Sequence, residues 1–293
     1  MKTDQKMNRK IVKVVQPKAG QGFLGEGHTA IQVVEGSDFQ YTDPFIVMMD
    51  DQLDLPGHGV VGGPHPHAGF EIATLVLKGS PESDFQTGSL EWLTTGSGIV
   101  HTEEIKTKVK LRILQLWLVL PKIKRWTAPK WQKLPFKNVP SKKIGKSEIY
   151  VYSGSAFGLT SPITSETPVT IVLFKLDKND KVTQELPTNF NGFIYMLEGS
   201  ILAGGEATHI DTQEVAWLDR STEEGDSTID FIGGAEGGSF VLYAGEPQRV
   251  PIISYGPFVV DREEEIKPLF QDFKAGRIPH LKTLPESQVV YHG

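Results

Sequence analysis

The sequence predicts an all-β protein made of two barrels and one short C-terminal helix. Three observations carry this. Strand-like segments succeed one another at short spacing, with glycine turns and little helical period. The stretch "GFEIATLVLKGS" at Gly69 to Ser80 is echoed by "GFIYMLEGSI" at Gly192 to Ile201, a faint internal repeat that implies two copies of one fold. The 293 residues also leave room for two domains of ordinary size, each with its own core. The division expected is residues 1–135 for the first barrel, 136–140 for a linker and 141–293 for the second.

In chain order, Lys10 to Gln16 sets valines and Ile11 among lysines and reads as a strand. Gly20-Gln21-Gly22-Phe23-Leu24-Gly25 has the form G-x-G-x-x-G, but a dinucleotide loop must open a helix. The next segment, Thr29 to Val34, is β-branched and strand-like, so the glycines make a hairpin turn. Phe45 to Met49 is a buried strand, its methionines core filler. Ile72 to Leu77 ends in a turn at Gly79, and Leu90 to Leu93 and Leu111 to Leu120 are further strands. Pro121, Pro129, Pro135 and Pro140, set among lysines and arginines, read as an extended, solvated connection.

In the second half, Ile149 to Tyr152, Val169 to Leu176, Gly192 to Leu197 and Ser239 to Ala244 are strand-like. Gly233, Gly234, Gly237 and Gly238 lie between strands and are expected to form a turn, not a phosphate cradle. Arg262 to Ala275 carries the one clear helical period, with Ile266, Leu269, Phe270 and Phe273 on one face and Gly276 as the stop. The acids Glu263 to Glu265 suit the positive end of that helix.

Composition excludes several functions. A net charge of −6 argues against a general grip on nucleic acid. With no cysteine there can be no disulfide, thiolate metal site or cysteine nucleophile. No Gly-x-Ser-x-Gly elbow is present. No apolar run is long enough for a membrane span and no secretory h-region is visible, so a cytoplasmic protein is expected.

The chemistry sits in two short segments. Residues i and i+2 of a strand share a face, so His65 and His67 form one two-pronged donor set. His101 and Glu103 form another. Two such prongs facing each other in a small barrel make three imidazoles and one carboxylate, suited to a borderline divalent metal such as iron(II), copper, nickel, zinc or manganese. The second half has Asn191-Gly192-Phe193 where a His-x-His would stand, and His209 reads as a surface residue, so one metal site is expected, in the first barrel.

These segments resemble the two cupin motifs: Gly59, His65-Pro66-His67, Glu71 and Gly79, then Gly88, Gly96 and His101. The wording is closer still to the pirins, through "DPFIVMMDD", "HPHAGFEIATLVLKG", "EWLTTGSGIVHTEE" and "YGPFVV", spread over nearly the whole chain. The resemblance implies a bicupin with one metal, iron(II) first among the candidates, in the N-terminal barrel. Carried over by motif, its ligands are His65, His67, His101 and Glu103. Glu71 matches a cupin glutamate position, but the carboxylate that pirins use corresponds to Glu103. Two features depart from the pattern. Ala68 stands where pirins usually have arginine, and Ser80 to Thr87 is shorter than their usual hairpin, with Gly88-Ser89 in place of Gly-Asp.

The activity implied is that of a quercetin 2,3-dioxygenase, with a flavonol and dioxygen as substrates and Glu103 as the proton acceptor. A metal-bearing regulator that docks on a protein partner is the alternative, and a metal isomerase acting on a sugar is a third reading. A wide apolar pocket beside the metal would favour the dioxygenase, and a lining of Lys and Arg a phosphosugar.

Overall fold

In a computed structural model the chain is described over residues 6–55, 59–80, 85–105 and 108–293, with only the backbone described at 59–62, 103–105 and 109. It divides into two compact units, and almost all regular structure is β, as the spacing of strands and glycines predicts.

One unit comprises residues 18–138, 165–167 and 248–293. Its main sheet has eight strands in the order Val289–Tyr291, Lys130–Leu134, Leu90–Thr94, Phe70–Lys78, Val109–Val119, Phe45–Leu55, His28–Val34 and Ala19–Gln21. Two smaller pairs complete it: Gly59–His67 with Ile99–Ile105, and Ile253–Tyr255 with Phe258–Val260. The strand Phe45–Leu55 is held on both sides, by Val109–Val119 and by His28–Val34. Its first five residues, Phe45 to Met49, are apolar, and Asp50, Asp51, Gln52 and Asp54 follow among the rest. The glycine segment after Ala19–Gln21 is a turn, with Gly22 N–H bonded back to the His28 carbonyl, as predicted.

The other unit comprises the described part of Met1–Pro17 with Val139–Thr164 and Pro168–Pro247. Its ten-stranded sheet is built on the long strand Asp226–Gly245, paired with Val169–Leu176, Lys181–Pro187 and Asn191–Ala203. Its core centres on Phe174 and Phe240, which stack at 4.8 Å, with Phe231 beside them. The buried Arg9 donates from Nε to Asp219 Oδ1 at 2.6 Å and from its other nitrogens to the carbonyls of Thr188 and Phe190. A charge with no exposed surface is tolerated there because its donors are used.

Three sequence expectations change. The contiguous division at 135/141 gives way to an exchange of ends. Ile11–Val15 pairs with Val215–Leu218 in the second unit, while Val289–Tyr291 pairs with Lys130–Leu134 in the first. The Pro121-to-Pro140 connection is in part a sheet strand: Lys130–Leu134 pairs on both sides, and Gln132 and Leu134 are fully buried. The prolines fall outside those five residues, so they do not interrupt its ladder. The glycines from 233 to 238 are no turn but the middle of Asp226–Gly245. Its first half faces Lys181–Pro187, its second half faces Val169–Leu176, and register shifts in the Asn191–Ala203 pairing take up the bend.

The C-terminal helix is present as a 3-10 turn at Glu263–Glu265 leading into Ile266–Lys274. Glu265 accepts from the backbone N–H groups of Asp261 and Arg262, closing its N-terminal end. Leu269 packs on Phe258, Val260 and Ala68. Gly276 ends it at φ +66°, and a Cβ there would meet nothing within 4 Å. Gly276→Ala is therefore expected to cost only the backbone strain, about 1 kcal/mol. A urea unfolding midpoint lowered with unchanged slope is the expected reading; no shift would show that the chain leaves this conformation freely.

Candidate metal centre

His65 and His67 end the strand Gly59–His67, and His101 lies on its partner Ile99–Ile105 with His65 directly opposite. This register puts three imidazoles in one place. Their nearest nitrogens all lie within 4.8 Å of one another. Ring centroids are 4.9 Å apart for His65 and His67, 4.3 Å for His65 and His101, and 5.0 Å for His67 and His101.

The donor atoms are prepared for a cation. His65 Nδ1 lies 2.8 Å from the Gly63 carbonyl, which can only accept, so Nδ1 carries the proton and Nε2 offers a lone pair. The Nε2 atoms of His67 and His101 are 3.1 Å apart. Two bonds of about 2.1 Å meeting near a right angle leave donors about 3 Å apart, so this spacing suits two ligands of one ion. Burial pushes the His101 imidazole down to about 3, and the charges of His65 and His280 add to this. Burial likewise holds His67 well below its ordinary value, reinforced by His101 and His65, while the Pro257 carbonyl pulls the other way. Both rings are thus neutral at physiological pH, the form that binds metal. The chemistry of the donor set and its spacing fit a divalent transition ion.

The support around the trio comes largely from residues 248–293. Ala68 N–H bonds to the Pro257 carbonyl at 3.4 Å, and Val259 N–H returns to the Ala68 carbonyl at 3.0 Å. Gly69, at φ +89°, lets the chain pass so closely that a Cβ would overlap the Val259 carbonyl. The fully buried Arg125 donates to the Gly69 carbonyl at 3.0 Å and is paired with Asp261 at 2.7 Å. The "YGPFVV" segment is therefore the clamp on the loop after His67. On the other strand, Val100 N–H bonds to the Pro279 carbonyl. His280 Nδ1 accepts from Lys282 N–H, so its Nε2 donates to Thr102 Oγ1 at 3.2 Å. Ala68 is fully buried against Phe258 and Leu269.

The structure sorts the site residues expected from the sequence. His65, His67 and His101 converge. The Glu103 backbone belongs to Ile99–Ile105 opposite Gly62, and its side chain lies outside the described residues. So do residues 81–84 of the shortened hairpin. Glu71 is fully buried, and its carboxylate accepts from Trp92 Nε1, Thr94 Oγ1 and the backbone N–H groups of Glu166 and Thr167. Burial raises its pKa, and those donors lower it again. It is a structural anchor whose four partners leave it no part in the trio. His209 is exposed and pairs only loosely with Asp211.

A cavity of about 640 Å³ opens beside His65 and His67. Its walls are mainly apolar, from Leu53, Phe85, Leu111, Ile113 and Trp117, and among the described residues the lining includes no Lys or Arg. Trp117 lies 5.3 Å from the His67 ring and stacks on Phe70 at 4.2 Å. Three polar groups interrupt the apolar wall: Gln115, His28 and Asp51. The sequence reading gives none of the three a functional role. The alternation of "LRILQLWLVL" was a usable signal, since it sets Leu111, Ile113, Gln115 and Trp117 on one face. A smaller cavity of about 230 Å³ shares Phe85, Ile113 and Gln115 with the first, and its lining includes His101, Thr102, Lys133 and Lys282.

The family models for pirin and for the pirin C-terminal cupin domain match residues 27–118 and 171–279. Pirin of Homo sapiens is 32% identical over 262 residues, 85% of this chain and 88% of that one. Pirin of Rattus norvegicus is 31% identical, covering 85% of this chain and 87% of its own. Among solved structures, a quercetin 2,3-dioxygenase from Acinetobacter baumannii superposes with a TM-score of 0.79 at 25% identity, over 92% of this chain and 98% of that one. Two barrels, a histidine trio in the first and these matches across both halves lead to one conclusion: the chain belongs to the pirin family, a bicupin with a histidine group that could hold a metal ion.

Proposed function

We propose that this protein is a metal-dependent dioxygenase acting on a flavonol or a similar hydroxylated aromatic compound. The observation that carries this is the cavity of about 640 Å³ at His65 and His67, apolar in most of its wall. It is of ordinary small-molecule size. A phosphosugar would want cationic partners, and the described lining of this larger cavity has none, Lys133 and Lys282 belonging to the smaller one at His101. The likeness to the Acinetobacter baumannii quercetin 2,3-dioxygenase supports the same reading.

His65, His67, His101 and Glu103 would hold the ion, iron(II) foremost, with copper, nickel, manganese or zinc as alternatives. Bound there, the metal would supply a Lewis-acidic and redox-active centre for the flavonol's adjacent hydroxyl and carbonyl oxygens and for dioxygen. The chain does the rest. Glu103 accepts the proton of the flavonol hydroxyl. Phe85, Ile113 and Trp117 sandwich the rings and exclude water from them. Neutral His67 and His101 leave the positive charge of the site to the metal alone.

Oxygen uptake and loss of flavonol absorbance test this. Protein loaded with iron, copper, nickel or manganese is expected to consume dioxygen with quercetin and to convert it. No uptake with any of the four metals would remove the dioxygenase and leave a metal-bearing binding protein.

A further inference from the structure

The cavity wall holds a buried polar pair that the metal chemistry does not use. His28 Nδ1 accepts from the Leu24 backbone N–H at 3.3 Å, so its Nε2 carries the proton and donates to Asp51 Oδ1 at 2.7 Å. The His28 side chain is 1% exposed and that of Asp51 12%, and both line the cavity. One carboxylate oxygen is therefore taken, and the imidazole holds the group in one orientation. The other oxygen has no hydrogen-bond donor among the described residues. Asp51 lines the cavity with its side chain 12% exposed, so this second oxygen is open to a donor that enters the cavity, water or a ligand hydroxyl.

Its position is also informative. Asp51 pairs in register with Ile113, and Val47 with Trp117, on adjacent strands. Trp117 packs against His67, so the cavity face at Asp51 lies four residues along the sheet from the trio, about 13 Å. A planar compound held by its chelating oxygens at the histidines would extend its far ring toward Asp51. Phe23, 80% exposed and 5.2 Å from the His28 ring, stands at the same end of the cavity.

We propose that Asp51, positioned by His28, accepts a hydrogen bond from a hydroxyl on the ring remote from the metal. Asp51 thereby selects hydroxylated flavonols over bare ones. The inference rests on the flavonol reading of the cavity. It makes Asp51 a specificity residue that touches substrate, and His28 a positioning residue acting through it.

Binding, not turnover, is the test. Nickel-loaded full-length protein is titrated under argon with quercetin and with 3-hydroxyflavone, monitored by tryptophan fluorescence or heat. Both ligands carry the chelating hydroxyl–carbonyl pair, but only quercetin carries further hydroxyls. Wild type is expected to prefer quercetin by roughly 10–100-fold, the range of one hydrogen bond to a charged group. Asp51→Ala and the near-isosteric Asp51→Leu are expected to abolish that preference while leaving nickel content and 3-hydroxyflavone affinity within about twofold, which also shows that the pocket is folded. His28→Phe should lower the preference part way. Variants that bind both ligands with the wild-type preference would overturn the role of Asp51 and leave the flavonol site standing. If wild type binds neither flavonol, the flavonol reading and this inference fall together.

Discussion

His67→Ala is expected to strip the protein of its metal. Loss of an outer partner alone costs 10–100-fold in metal affinity, so loss of a ligand should cost at least about 10²-fold. The ring removed is 6% exposed and fills space against Phe70 and Trp117, so the variant should also unfold more easily, by about 1–3 kcal/mol. Elemental analysis after dialysis reads the first effect and thermal unfolding of the metal-free protein the second. His209→Ala, at a half-exposed position in the other unit, should keep full metal content. Equal metal content in His67→Ala and His209→Ala would mean that the trio is only a packed cluster of neutral rings.

Glu103→Gln should separate metal binding from proton transfer. The amide keeps an oxygen donor but cannot take a proton, so metal content should stay above half while flavonol turnover falls by roughly 10²–10⁴-fold. The loss should fall on kcat, since the hydroxyl–carbonyl pair and the apolar walls proposed to bind the flavonol are unchanged. Turnover equal to wild type would remove the proton role from Glu103 without touching the three histidines.

Much of this was legible because it is local. Period-two alternation marked the strands, and the spacing of His65, His67 and His101 marked the trio before any register was known. The hidden parts depend on distant pairing. Nothing near Ile11 announces its partnership with Leu218, or near Trp131 its partnership with Val289. Neither His28 nor Asp51 carries a local motif that marks it as a cavity residue. Only the register of three neighbouring strands sets them against one cavity. Glu71 matches a cupin glutamate position but is set aside as a ligand in favour of Glu103, and its four donor groups give it a structural task. The glycines near 235 misled because a turn and a bend within one long strand call for the same residue type.

The exchange of ends has a consequence for synthesis. A nascent chain that has reached Asn138 has made all three histidines but not the Pro257–Val259 clamp, the Pro279–His280 bridge or the Val289–Tyr291 strand. At ordinary ribosomal speeds that interval lasts on the order of 10 s. Until it ends, Lys130–Leu134 has one open edge, with its lysines as protection against stray pairing. The histidine trio therefore gains its full support only after residues 248–293 have been made. The unit that holds the histidine trio is mostly made before the other, yet it is closed after it.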